Sequence, residues 1–206
     1  MFKLLKSKKY ADRPNTGIFL TMLIAAVIAL IAAFTLTVEK FHLYEQPDAV
    51  LSCSINLVLN CSTVMQSWQS HVFGFPNMIL GLIGFSVVTT IAVLGLAKVV
   101  FPRWFLIATN IGLVFAAGFA YWLFFQSVYA IEVLCPWCLI VTTATTLMLS
   151  SIMHYNLKHN TFKLKKALNS KVQAFLAGGY HQMIIIGWFV IMFALVYLKF
   201  GADLFA

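Results

Sequence analysis

Charge is scarce in this chain of 206 residues: Asp and Glu together number six, and charged residues make up only 10%. Soluble domains carry about 25%, so too few polar side chains are present to cover a soluble core. Proline and glycine, at 5 and 11 residues, fall far short of a collagen-like composition, and the apolar excess excludes intrinsic disorder. Four cysteines are too few for a disulfide-rich secreted scaffold of this length. What the chain has in quantity is apolar surface: 62% hydrophobic residues, 19 phenylalanines and a mean hydropathy of +0.92. Such surface has to face lipid. The formal charge of +8 raises the question of nucleic acid. In a membrane protein, however, a basic excess marks the cytoplasmic side, and no nucleic-acid partner is expected.

Crossing a hydrocarbon core takes roughly 20 apolar residues in a helix. Five stretches qualify, near 17–38, 76–97, 104–126, 133–154 and 180–198. Five bases precede the first span, Lys98 and Arg103 separate the second from the third, and five lysines lie between the fourth and fifth, so 12 of the 14 basic residues share one side. The alternate loops hold Lys40 and Lys199 but five of the six acids, Glu39, Glu45, Asp48, Glu132 and Asp203. The positive-inside rule then places the N-terminus in the cytoplasm, and the C-terminus and all four cysteines on the extracytoplasmic side. The first span is too long for the apolar region of a cleaved signal peptide and reads as an anchor. Between spans four and five, Leu164, Leu168, Val172, Phe175 and Leu176 recur at helical spacing among lysines, the pattern of a helix lying on an anionic leaflet. The predicted fold is an all-α membrane protein: a bundle of five transmembrane helices, four forming a core and one extra. Its divisions are a basic N-terminus (1–16), the core (17–154), a basic amphipathic loop (155–179) and a fifth helix with a short tail (180–206).

The cysteines are the chemistry-bearing residues. Cys135-Pro136-Trp137-Cys138 opens the fourth span, with Pro136 suited to the first helical turn. Sulfurs at i and i+3 share a face, and a helix N-terminus stabilises a thiolate; Glu132, if ionised close by, opposes that activation. Cys53 and Cys61 lie in the long first outside loop, 39–75, and a disulfide between them would close only a short loop. After Cys61, hydroxyls that can cap a helix precede Val64, Met65, Trp68 and Val72 at helical spacing, so 62–72 is predicted as a short amphipathic helix roofing the bundle. Two inert disulfides or a four-thiolate metal site are the competing readings. None of the five histidines stands at ligand spacing to a cysteine and one pair is widely spaced, which argues against zinc; no metal is expected.

Several motifs together resemble the vitamin K epoxide reductase family over roughly 17–154. They are Cys53 and Cys61 followed by Ser62, then Ser67, then Phe73-Gly74-Phe75-Pro76-Asn77 leading to Gly81, then Leu123-Phe124-Phe125-Gln126-Ser127, and finally the Cys135–Cys138 motif. An unrelated family of quinone-linked thiol oxidases has the CxxC first and the spaced pair second, the reverse of the order here. The resemblance implies a quinone-dependent disulfide oxidoreductase of the bacterial cytoplasmic membrane that supports disulfide formation in envelope proteins. Electrons would pass from a thioredoxin-like protein through Cys53 and Cys61 to Cys135 and Cys138, then to a quinone, menaquinone or ubiquinone. It further implies that Asn77 and Thr142 hold the quinone, Thr142 standing where some members have tyrosine, and that Ser67 supports the cap. No thioredoxin-like domain follows the fifth span in this chain, so the thiol partner is expected to be a separate extracytoplasmic protein. The alternative from a different class is a non-enzymatic membrane scaffold or transporter with structural disulfides.

Overall fold

The computed structural model describes residues 15–46 and 51–201. Apolar runs of the lengths given above fold as long helices: α1 (Thr16–Glu45), α3 (Met78–Leu96), α4 (Arg103–Gln126), α5 (Pro136–Lys158) and α7 (Tyr180–Phe200). Each is long and apolar enough to cross a membrane, α4 together with the wider π-type turn Ser127–Ile131 that continues it. Two shorter helices complete the set, α2 (Cys61–Gln66) and α6 (Lys166–Ala177).

Helix α1 is the centre of the bundle and packs against both α3 and α5, while α4 packs on α5. Its contact face is a run of small residues, Ala25, Ala26, Ala29, Ala32 and Ala33, all buried. In lipid there is no hydrophobic drive between helices, and small side chains let backbones approach closely enough for dispersion contacts to hold them. Gly81 on α3 shows how close: a Cβ there would lie 3.2 Å from the Cβ of Ala33. Above and below this seam the core is filled by Phe19, Met22, Val88, Ile91, Met148 and Ile152. The large apolar residues on the other faces, such as Ile24, Ile31 and Phe34 on α1, point outward, as a lipid-solvated bundle requires.

Three helices differ in detail from their sequence reading. Helix α1 runs past Val38 to Glu45, and Glu39 and Lys40, expected in an aqueous loop, are buried on it. The stretch 62–72 is not one helix. It breaks at Ser67, whose backbone is extended and whose hydroxyl donates to the Val64 carbonyl at 2.7 Å, dividing it into α2 and a 3-10 turn, Trp68–His71. The α2 cap is Asn60, which accepts from the Thr63 N–H at 3.2 Å, rather than a serine inside the helix. Between spans four and five, α6 starts at Lys166 and buries none of its residues, so Leu164 lies outside it.

Helix α7 sits against the end of α4. Val196 and Phe200 pack on Phe124, Val128 and Leu134. Trp188 donates its indole N–H to the Tyr121 hydroxyl at 2.7 Å, and Lys199 pairs with Glu132 at 2.6 Å.

Candidate active site

Two stretches far apart in sequence are brought together by main-chain bonds. Beyond α4, the π-type turn and a left-handed Glu132 (φ 59°) reverse the chain, with the Ser127 hydroxyl bonded to the Val133 carbonyl. The chain then runs beside residues 58–60: the Leu134 N–H donates to the Val58 carbonyl at 2.7 Å, and the Asn60 N–H donates to the Leu134 carbonyl at 2.9 Å. The next residues are Cys61 on one segment and Cys135 on the other. This register sets their Sγ atoms 3.4 Å apart.

Cys53 and Cys61 form a disulfide with Cα atoms 5.6 Å apart, while Cys135 and Cys138 carry free thiols. The arrangement is therefore one disulfide and two thiols, not two closed pairs. Cys61 and Cys135 are essentially inaccessible, at 0% and 1% exposure, and Cys53 is 5% exposed. Leu36, Leu43, Leu51 and Met65 enclose them. Glu39, Cys53 and Cys61 offer three potential ligand atoms within 4.8 Å of one another, but sulfurs joined to each other are not thiolate ligands.

Each inner cysteine opens a helix. Cys61 is the first residue of α2, and Cys135 is the N-cap of α5, its sulfur accepting from the Cys138 N–H at 3.4 Å. The Cys135 thiol is pushed below its ordinary range, chiefly by the hydrogen bond from the Cys138 thiol and further by the Cys138 and Trp137 backbone N–H groups. Burial and the negative charge of Glu39 oppose that shift without reversing it. Glu132, expected from the sequence to be the opposing acid, is instead exposed and engaged by Lys199, whose hydrogen bond and charge lower its own pKa. The acid beside the cysteines is Glu39. Its carboxylate accepts from the Ser52 hydroxyl, and its other oxygen lies 3.1 Å from Cys53 Sγ. Counted from sequence as a loop acid, it was missed because α1 continues beyond its apolar run.

Helices α3 and α4 stand apart, and a cavity of about 1180 Å³ fills the space between them. Cys135, Cys138, Asn77 and Thr142 line one end and Trp104 and Phe105 the other, with glycines of both helices and alanines of α4 between. The wall is almost wholly apolar, the character of a site for a lipid-soluble ligand. Asn77 does not cap α3 with its side chain. Its Nδ2 donates to the Gln69 carbonyl at 2.6 Å, tying the 3-10 turn down as a roof, and its Oδ1 is buried without a partner. The Thr142 hydroxyl donates to the Cys138 carbonyl one turn back, at 2.9 Å. Ser67 stands at the break in the roof, its hydroxyl on Val64.

The profile described as the Vitamin K epoxide reductase family matches residues 20–153. The chain belongs to the vitamin K epoxide reductase family. No curated protein matches the sequence significantly. The matched region runs from α1 into α5 and contains all four cysteines; α6 and α7 lie beyond it. As a member of this family the protein is a multi-pass membrane thiol oxidoreductase, and its first cysteine pair is joined as the Cys53–Cys61 disulfide.

Proposed function

We propose that the protein is a quinone-linked thiol oxidase that draws electrons from a separate thioredoxin-like protein on the extracytoplasmic face of a bacterial membrane. The observation that carries this reading is the 3.4 Å approach of Cys61 Sγ to Cys135 Sγ, at the mouth of an apolar cavity. A thiolate of the partner attacks Cys53, forms a mixed disulfide and frees Cys61. Cys61 attacks Cys135 of the oxidised pair and releases Cys138. Cys53, set free by the partner's second thiol, then closes on Cys61 and leaves Cys135 and Cys138 reduced, the state of the four sulfurs in the structure. Closure of a Cys135–Cys138 disulfide delivers the electron pair into the cavity.

A quinone there supplies a two-electron, two-proton acceptor. The cavity fits one by its apolar wall, and the buried Asn77 Oδ1, which lacks a hydrogen-bond partner, is an acceptor suited to the hydroxyl of the quinol product. Asn77, by the second hydrogen of its Nδ2, and Thr142, by turning its hydroxyl away from the Cys138 carbonyl, would donate to the ring's oxygens, and the gap between α3 and α4 would take an isoprenoid tail from the bilayer. Ser67 supports the roof. A lysine-poor outer side and 12 of 14 bases on the other side support the orientation, with α6 on the cytoplasmic leaflet and α7 as an addition to a four-helix catalytic core.

The partner has to open the loop to reach Cys53, which is buried. Close to it, Ile55 and Leu57 are 69% and 92% exposed, an apolar tip suited to the groove of a thioredoxin-like protein. The test is anaerobic quinone reduction by the purified protein supplied with a reduced thioredoxin-like donor. Turnover with a menaquinone or ubiquinone analogue is expected. Absence of turnover with either would overturn the quinone as acceptor.

A further inference from the structure

Glu39 is 8% exposed, yet among the described residues no cation pairs with it. Among the described residues the one ion pair joins Lys199 to Glu132. Lys40, its neighbour in sequence, turns away to donate to the Met65 carbonyl at 2.7 Å. Burying an unpaired carboxylate is costly and calls for a compensating arrangement. Here one oxygen accepts from the Ser52 hydroxyl, and the other, Oε2, lies 3.1 Å from Cys53 Sγ. A disulfide sulfur has no hydrogen to donate. The contact at Oε2 therefore becomes a hydrogen bond only when the disulfide is opened and Cys53 holds a thiol.

We propose that Glu39 is the base that takes the proton from Cys53 each time the Cys53–Cys61 disulfide is re-formed. The inference rests on the relay set out above. While Cys53 is reduced, thiolate and carboxylate 3 Å apart cannot both stay charged in a buried site, so the pair keeps one proton between them. In the Cys61–Cys135 mixed disulfide that proton passes from Cys53 Sγ to Glu39 Oε2. The Cys53 sulfur attacks Cys61 Sγ; the Cys53–Cys61 bond forms, the Cys61–Cys135 bond breaks, and the electron pair leaves on Cys135 as a thiolate. No outside oxidant enters this step. The carboxyl then loses its proton through a second cleft of about 490 Å³, lined by Glu39, His42, Ser52 and Leu51. The Ser52 hydroxyl fixes Oε1 and so aims Oε2 at the sulfur.

The experiment uses the full chain in lipid nanodiscs with all four cysteines oxidised, mixed with reduced thioredoxin as the probe donor and no quinone. Samples are acid-quenched, alkylated and mapped by mass spectrometry. In the wild type the Cys61–Cys135 linkage is expected as a transient species. In E39Q it should persist about 100-fold longer, the scale of a lost general base, and E39D should recover most of the rate. Decay of the linkage in E39Q at the wild-type rate would overturn the role of Glu39 while leaving the relay intact. A wild type in which Cys135 and Cys138 become reduced with no such linkage would overturn the relay itself. An independent measurement needs no deleterious variant: infrared difference spectra of the oxidised and reduced wild-type protein should show the Glu39 carboxyl bands shifted as Oε2 gains the Cys53 S–H as a donor on opening Cys53–Cys61, with the bands displaced in E39D. A spectrum without carboxyl change would sink the proposal.

Discussion

Cys61 and Cys135, separated by 74 positions in sequence, have their sulfurs 3.4 Å apart, whereas Cys53 is held on the far side of Cys61 by the disulfide. Cys61 is therefore the sulfur that connects the two pairs. In a Cys138→Ala variant Cys135 can no longer close on its CxxC partner and is left to attack the Cys53–Cys61 disulfide, so a Cys61–Cys135 disulfide should become detectable and quinone reduction should stop. Non-reducing peptide mapping identifies the bond; a Cys53–Cys135 linkage in its place would contradict the order of transfer.

The Cys135 thiol lies below its ordinary range mainly because the Cys138 thiol donates to it. With Cys135 and Cys138 reduced, the pH at which Cys135 alkylation by a small reagent reaches half its maximal rate should fall below the usual thiol value of about 8.5. Lowering a thiol pKa extends the thiolate to lower pH, so reactivity is lost only as pH falls through the shifted value. Removing the donor in Cys138→Ala should move the half-point upward. An identical half-point in both proteins, read by mass spectrometry across a pH series, would count against this hydrogen bond as the cause.

Asn77 uses Nδ2 to hold the Gln69 carbonyl and leaves Oδ1 bare in the cavity region. Asn77→Ala should lower quinone turnover at least about tenfold, equivalent to about 1.4 kcal/mol. Reduction of Cys53–Cys61 by the donor protein should be little changed. The two rates are measured separately, by quinone absorbance and by alkylation of released thiols. A fall in both would mean that Asn77 serves only to anchor the roof.

Leu57 is 92% exposed four residues from Cys53. Leu57→Asp should raise the KM for a protein donor several-fold and leave reduction by dithiothreitol unaltered. Equal effects on both donors would show that the substitution disturbs the loop rather than docking.

The Lys199–Glu132 pair joins α7 to the turn ahead of Cys135, but both side chains are well exposed, at 34% and 61%. Exposed pairs contribute little. Lys199→Ala should leave the thermal midpoint within about a degree at neutral pH. The depressed Glu132 pKa means that whatever the pair contributes is present above the ordinary carboxylate range and lost as pH falls through the lowered value. A large drop in midpoint would assign α7 a greater structural role than its packing implies.

The five spans were legible because each is an uninterrupted apolar run, and lipid admits no other backbone for such a run than a helix. The CxxC at a helix start was legible for a local reason too, since Pro136 marks the first turn. What was hidden is tertiary. Nothing in the sequence near Leu59 or Leu134 signals that these two positions pair. Glu39 and Lys40 read as loop residues beyond the first span, yet the helix carries on to Glu45, about two more turns, and buries both. Ser62 and Thr63 looked like caps because hydroxyls usually serve that role, but Asn60 stands one place before the helix with a longer reach. The unpartnered Oδ1 of Asn77 also depends on the 3-10 turn of the roof supplying the Gln69 carbonyl to Nδ2, which no spacing rule reports.

The two backbone hydrogen bonds that join Val58, Asn60 and Leu134 set the sulfur-to-sulfur distance through the main chain. Polar side chains of the loop brace that segment in turn: Asn56 Oδ1 accepts from the Val58 and Leu59 N–H groups, and the Ser54 hydroxyl donates to Asn60 Oδ1. The sulfur junction works like a jig clamped by peptide groups, and the exposed side chains of Ile55 and Leu57 stand apart from the groups that clamp it.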